Sequence, residues 1–171
     1  NILSTHDTPR ILSVLSGVTV PDSKEERAVY KLSQKDREKA EDRLKCAAFL
    51  QFVLPGMPCI YYGDEIGTEG FEDPFCRTFF DWKKEKNSSL KEFYNSLCRL
   101  KNTCKPLKDG SVCVSVIKDG VIKISRNGDK CAAAYVNCSR LPFALPQNEG
   151  RVKFGDNGKV LSPMSFVLFE K

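Results

Sequence analysis

The sequence predicts an α/β unit followed by an all-β unit, and three observations carry that reading. Two stretches with apolar residues at helical spacing enclose one short apolar run. Glycines, carboxylates and aromatics gather directly after that run. Past Pro106 the pattern changes to short β-type runs separated by turn dipeptides. With 171 residues the chain is long enough for one ordinary domain or two small ones with a real core.

Over residues 35–54, Ala40, Leu44, Ala47, Ala48, Leu50 and Val53 recur at helical spacing while charges crowd the first half, so this helix passes from exposed to buried. Pro55-Gly56 ends it. Residues 57–62, too few for a helix and rich in strand formers, are expected to form a fully buried parallel strand. A second helix is expected over residues 89–102, where Leu90, Phe93, Tyr94, Leu97 and Leu100 make one stripe and Ser89 with Glu92 supplies a capping box. Between strand and helix lie residues 63–87, the kind of connecting loop on which binding residues concentrate.

In the all-β part, the runs 112–117, 121–125 and 131–136 are joined by Asp119-Gly120 and Asn127-Gly128, which are hairpin signals. Further turns at Asn148-Glu149-Gly150 and Asn157-Gly158 precede a last run, 165–169. A small antiparallel β-sandwich follows from this pattern. The boundary is expected near Cys104 to Lys108, giving domains 1–104 and 105–171, with no internal repeat.

Composition excludes several classes. At 41% hydrophobic and 29% charged residues the chain is neither disordered nor fibrous. No apolar run approaches the roughly 20 residues of a membrane span; the longest, 46–54, is interrupted by Gln51. The opening Asn1-Ile2-Leu3-Ser4 shows no leader segment, an absence that is uninformative if the chain starts mid-protein. The net charge of +5 arises from 27 basic residues interleaved with 22 acidic ones, a mixed solvated surface that predicts no nucleic-acid partner. Eight cysteines, several inside apolar runs such as Cys46-Ala47-Ala48 and Cys131-Ala132-Ala133, read as small buried hydrophobes with reduced thiols, in a cytoplasmic setting. There is no Cys-x-x-Cys pair and His6 is the only histidine, so neither a metal site nor a cofactor is expected.

Taken alone, His6-Asp7-Thr8-Pro9-Arg10 reads either as a site at the end of a strand or as a helix cap beside a surface imidazole. Asp73 and Arg77, four residues apart, read either as ligand groups or as a plain salt bridge.

In combination the motifs are more specific. NILSTHDTPR, followed by GMPCIYYGDEIGTEGFEDPFCR and an all-β tail, resembles the end of the α-amylase family, glycoside hydrolase family thirteen, and within it the neopullulanases, cyclomaltodextrinases and maltogenic amylases. The resemblance covers essentially the whole chain. It implies that the first motif ends barrel strand seven, that the second lies on strand eight and its loop, and that the tail is domain C. The fold class is then α/β plus all-β: the C-terminal quarter of a TIM (β/α)8 barrel followed by an antiparallel β-sandwich.

The same resemblance implies roles. Asp7 would stabilise an oxocarbenium-like transition state and His6 would hydrogen-bond sugar hydroxyls at the cleavage point; Asp73 and Arg77 would grip a glucose further along the non-reducing side. The chemistry suits these residue types, since a carboxylate accepts from sugar hydroxyls and a guanidinium presents a planar fork of donors to vicinal ones. Asp64 and Glu65 would be architectural. Tyr61, Tyr62, Phe71, Phe79, Phe80 and Trp82 are expected mostly in the core.

A retaining glycosidase needs a nucleophile and a general acid about 5 Å apart. In this family both come from earlier barrel strands, upstream of Asn1. The expected partners are therefore an α-glucan oligosaccharide and an N-terminal barrel portion, with an oligomer allowed, and the chain alone is expected to be inactive. The segment from Arg10 to Asp36 looks longer than in close relatives. The alternative from another class is a non-catalytic structural or sugar-binding module derived from the same fold.

Overall fold

The structure, a computed structural model, describes residues 1–86, 88–157 and 159–171; the turn expected at Asn157-Gly158 and the loop end at Asn87 lie partly outside them. Ahead of the first expected helix come two short ones, α1 (Ile11–Ser16) and α2 (Lys24–Val29). Each spans less than two turns, too little to print a periodic stripe on the sequence. Local chemistry marks their ends instead. Gly17, in the left-handed region at φ 73°, closes α1 by donating to Val14 O, and Ser23 Oγ caps α2 by accepting from Glu26 N.

The long helix α3 (Gln34–Val53) lies where its apolar spacing placed it. Ser33 Oγ accepts from Asp36 N at 3.1 Å at its start. Ala40, Leu44, Ala48 and Val53 are buried, Ala47 and Leu50 half-buried. The expected buried strand at 57–62 is not formed as such. One parallel bridge joins Ile2 to Cys59, with Cys59 N donating to Asn1 O at 2.8 Å, and Cys59 is exposed. A buried parallel strand draws its ladder from neighbours on both sides, and among the described residues one neighbour runs beside it.

Two single 3₁₀ turns (Asp64–Ile66 and Phe75–Arg77) and α4 (Trp82–Glu85) follow, then α5 (Ser89–Thr103). Its cap is Ser88, not the expected Ser89: Ser88 Oγ accepts from Lys91 N at 3.2 Å. The helix begins at Ser89, where its range was expected, so the capping hydroxyl is the residue before it, one position earlier than the capping box implied. Leu90, Tyr94, Leu97 and Leu100 form its buried stripe. Among the described residues no helix is long and apolar enough to cross a membrane.

The chain divides into two compact units, Asn1–Lys45 with Pro58–Asn95, and Cys46–Met57 with Ser96–Lys171. The second unit holds α6 (Lys105–Asp109), then β1 (Ser111–Lys118), β2 (Val121–Asn127), β3 (Cys131–Asn137), β4 (Phe143–Ala144), β5 (Arg151–Gly155), β6 (Val160–Leu161) and β7 (Ser165–Glu170). Five strands form an antiparallel sheet ordered β1-β2-β3-β7-β5, and β4 pairs with β6. The hairpin dipeptides thus fall where expected, with Asp119-Gly120 joining β1 to β2 and Gly120 at φ 74°.

Residues two apart on a strand share a face. Ala133 and Tyr135 on β3, and Val167 and Phe169 on β7, accordingly pack with Leu145, Leu161 and Phe143 as one core cluster drawing on both sheets. In the same unit, Phe49 stacks on Phe166 with centroids 4.5 Å apart and on Phe154 at 6.2 Å. Buried Arg126 donates to Val53 O at 2.7 Å and through Nε and Nη2 to Gly110 O. It thereby satisfies a carbonyl that the end of α3 leaves without a helical partner.

Candidate substrate-binding site

The turn carrying His6 and Asp7 is built by two threonines. Thr5 N donates to Thr8 Oγ1 at 2.8 Å, and Asp7 N donates to Thr5 Oγ1 at 3.2 Å. The side chains of His6 and Asp7 are left outward, 65% and 68% exposed, with His6 Nε2 3.0 Å from Asp7 Oδ2. Behind them Ser4, fully buried, accepts from Ile11 N at 2.9 Å and hydrogen-bonds Asp64.

Arg10 anchors the motif from below and is fully buried. Its Nη1 donates to Tyr62 O at 2.5 Å and stands 3.4 Å from Asp64 Oδ1. Its Nε and Nη2 have no hydrogen-bond partner among the described residues, and the guanidinium carbon lies 4.3 Å from the Tyr61 ring centroid and 4.7 Å from that of Tyr62. Those π faces stabilise a cation that donors and acceptors alone leave half satisfied. Burial pushes the Asp64 carboxyl up to about 6, against the lowering pull of Ser4 and Arg10. Asp64 therefore serves the interior of the motif rather than its outer face.

The loop 63–86 is held by arginines that lie earlier in the chain. Arg27 of α2 binds Glu72 Oε1 at 2.5 Å and also donates to Pro21 O and Asp22 O. Arg37 of α3 pairs with Glu69 and donates to Gly67 O at 2.9 Å, while Glu69 Oε2 accepts from Leu32 N. Gly70 N donates to Ser13 Oγ and Gly70 O accepts from Arg10 N. A Cβ at Gly70 would collide with the carbonyl of Phe75, so the loop closes on itself only with glycine there.

This scaffold delivers Asp73 and Arg77 beside the first motif. The Asp73-Pro74 peptide is cis, and the 3₁₀ turn after it presents Arg77. Arg77 Nε lies 2.8 Å from Asp73 Oδ1 and also donates to His6 O at 3.1 Å; its Nη2 stands 3.5 Å from Asp7 Oδ1. Buried Cys76 donates its thiol to the same His6 carbonyl at 3.1 Å. All four residues singled out from the sequence thus meet in one exposed polar cluster: two carboxylates, an imidazole and a guanidinium that solvent-borne hydroxyls can reach.

The aromatics behave otherwise than expected. Of the six, Phe71 alone is buried; Phe79 is fully exposed, Trp82 is 72% exposed and Tyr62 40%, and Phe80 packs edge-on against Trp82. Sequence reasoning also missed Arg27, Arg37, Glu69 and Glu72. The signal open to it was a surplus of carboxylates in residues 63–87, which must find cations somewhere.

Residues 1–107 match the alpha-amylase catalytic domain. The chain belongs to the alpha-amylase family. The chain is 38% identical to the amylopullulanase of Thermoanaerobacter thermohydrosulfuricus over 66% of its own length and 7% of that enzyme. It is 30% identical to the cyclomaltodextrinase of Geobacillus thermopakistaniensis over 85% of its length and 22% of that enzyme. The crystal structure of a maltogenic amylase from S. marinus superposes on 99% of the chain with a TM-score of 0.75 at 25% identity, covering 22% of that protein. The chain thus spans less than a quarter of these alpha-amylase relatives, and it corresponds to their C-terminal region. Its fold is the one the sequence implied, the last part of the barrel followed by antiparallel β-structure.

Proposed function

We propose that this chain is the C-terminal portion of a retaining glycosidase that hydrolyses α-1,4 bonds, and α-1,6 bonds as a second linkage, in maltodextrins, cyclodextrins or pullulan. The observation that supports this most is the convergence of His6, Asp7, Asp73 and Arg77 on one exposed cluster. In this reading Asp7 accepts hydrogen bonds from sugar hydroxyls, bonds that strengthen as positive charge develops on the ring, while His6 adds a further contact at the cleavage point. Arg77 and Asp73 hold a glucose remote from that bond, and Arg77 also fixes the direction of Asp7 Oδ1. Residues 1–104 act as barrel and 105–171 as domain C. The free state of all eight cysteines supports a reducing, cytoplasmic setting.

The chain alone carries no turnover in this reading. Hydrolysis with retention needs a carboxylate nucleophile and a separate acid about 5 Å apart, and the two carboxylates of the cluster are both committed to Arg77. The test is an assay of the purified 171-residue chain and of a longer protein containing the upstream barrel strands, against maltotriose and a cyclodextrin. The expected result is activity in the longer protein only. Turnover by the short chain that disappears in Asp7→Asn would refute the division of labour, and a longer protein that binds maltooligosaccharides without cleaving them would establish the sugar-binding module instead.

A further inference from the structure

The sugar cluster uses one cysteine, Cys76, through its thiol, and elsewhere two cysteines touch each other. Cys46 lies on α3 and is 3% exposed, whereas Cys138 directly follows β3 and is exposed. Their thiols are hydrogen-bonded to one another. Both belong to the second unit. The packing that brings them together does not depend on sulfur: Phe49, one turn after Cys46, stacks on Phe166, and Phe166 is the register partner of Val136, two residues before Cys138.

The backbone around Cys138 is fixed from both sides. Cys138 N donates to Gly120 O at 2.7 Å. Its neighbour Asn137, fully buried, donates through Nδ2 to the carbonyls of Leu141, Leu161 and Ser162, and its Oδ1 accepts from Ser139 N and Oγ. A thiol on so constrained a segment, already in contact with a second thiol on a packed helix, needs little chain movement to bond to it.

We propose that Cys46 and Cys138 are a peroxide-oxidisable dithiol that closes to a disulfide and staples the C-terminal half of α3 to the end of β3, the central strand of the five-stranded sheet. Hydrogen peroxide is the oxidant. The exposed Cys138 thiolate attacks one peroxide oxygen; an S–O bond forms, the O–O bond breaks and hydroxide leaves, giving a sulfenic acid. The Cys46 sulfur then attacks the Cys138 sulfur. The S–S bond forms as the S–O bond breaks, and the departing hydroxyl leaves as water with the proton from Cys46. Two thiols and one peroxide become one disulfide and two waters. The order follows from access, since peroxide reaches Cys138 and Cys46 is the resolving partner. The hydrogen bond from Cys46 also brings the Cys138 thiol down to about 7, which supplies thiolate at neutral pH.

The test oxidises the reduced chain with hydrogen peroxide near stoichiometry, alkylates the remaining thiols, and maps chymotryptic peptides by mass spectrometry. Cleavage after Phe49 and Tyr135 separates Cys46 from Cys59 and Cys138 from Cys131, so the link is assignable. The expected result is a dominant intramolecular Cys46 to Cys138 cross-link, reversed by dithiothreitol, with a thermal midpoint several degrees higher while it is closed. Cys138→Ser removes the link and leaves the midpoint of the reduced protein unchanged. Cys46→Ser leaves Cys138 as a sulfenic acid trapped by dimedone; if that variant does not fold, wild type and Cys138→Ser decide the matter. Over-oxidation of Cys138 without a link to Cys46, or cross-links dominated by other cysteines, would overturn the proposal.

Discussion

Arg77 Nη2 stands 3.5 Å from Asp7 Oδ1, so the loop after the second motif reaches the carboxylate of the first. Contacts to a remote sugar are made alike in ground and transition state, and their loss should act on KM. Under the proposed function, Arg77→Ala in the longer protein is expected to raise KM progressively along a ladder of maltooligosaccharides while short substrates hardly change. With both side chains about half exposed, the Asp73 pair by itself is worth only about 0 to 1 kcal/mol of stability. A response flat across the ladder would take Arg77 and Asp73 out of the binding site.

For Asp7 the expectation is different in kind. Under the proposed function, Asp7→Asn keeps the shape and loses the charge that would meet a developing cation, so kcat should fall by at least roughly a hundredfold with a smaller change in KM. Steady-state kinetics on one good substrate decide this. An effect confined to KM would reduce Asp7 to a binding residue.

Arg27→Ala probes the support rather than the cluster. Arg27 grips Glu72, the residue next to Asp73, and its loss should loosen the segment that presents Arg77. The expected phenotype is a weaker copy of Arg77→Ala, and the double variant should show less than the sum of the two effects. Full additivity would mean that the two arginines act separately.

Asp64 gives a pH signature. Its folded carboxyl titrates at about 6 against an ordinary 3.8, so the native state holds the proton more tightly than the unfolded chain does. Between these two values folding is coupled to proton uptake, and its contribution to stability is full below about 4 and is lost as pH rises through about 6. The loss is on the order of 3 kcal/mol. Unfolding free energies of wild type minus Asp64→Asn, measured across that range, should fall with rising pH and level off above it. A difference independent of pH would contradict the burial argument.

The parts legible in the sequence were those that repeat. The stripe from Ala40 to Val53 and the stripe from Leu90 to Leu100 each print several residues of one period, the β-type runs in 121–136 are marked off by turn dipeptides, and each element formed where expected. α1 and α2 each print less than two periods, too short for a stripe to stand out. The run 57–62 carries strand residues, but its pairing depends on neighbours, and one parallel bridge is what this chain supplies. In the candidate site the outer residues were legible because they sit in motifs. Their supports were not: Arg27 and Glu72, or Arg37 and Glu69, meet only through the fold, and no local spacing announces such a pair. The same reason explains Phe79 and Trp82, which look like core residues in sequence and lie in solvent.

The arginines that hold residues 63–86 have a consequence for anyone who would transplant this segment. Asp64, Glu69 and Glu72 travel with the loop, whereas Arg10, Arg27 and Arg37 stay behind in the donor. A graft of the loop alone would carry acids stripped of their counterions, one of them buried, into a host selected for other charges. The exchangeable module is therefore discontinuous in sequence: it runs from Ser4 through the first turn of α3 and resumes at Gly63, and a swap of specificity between relatives has to move both pieces together.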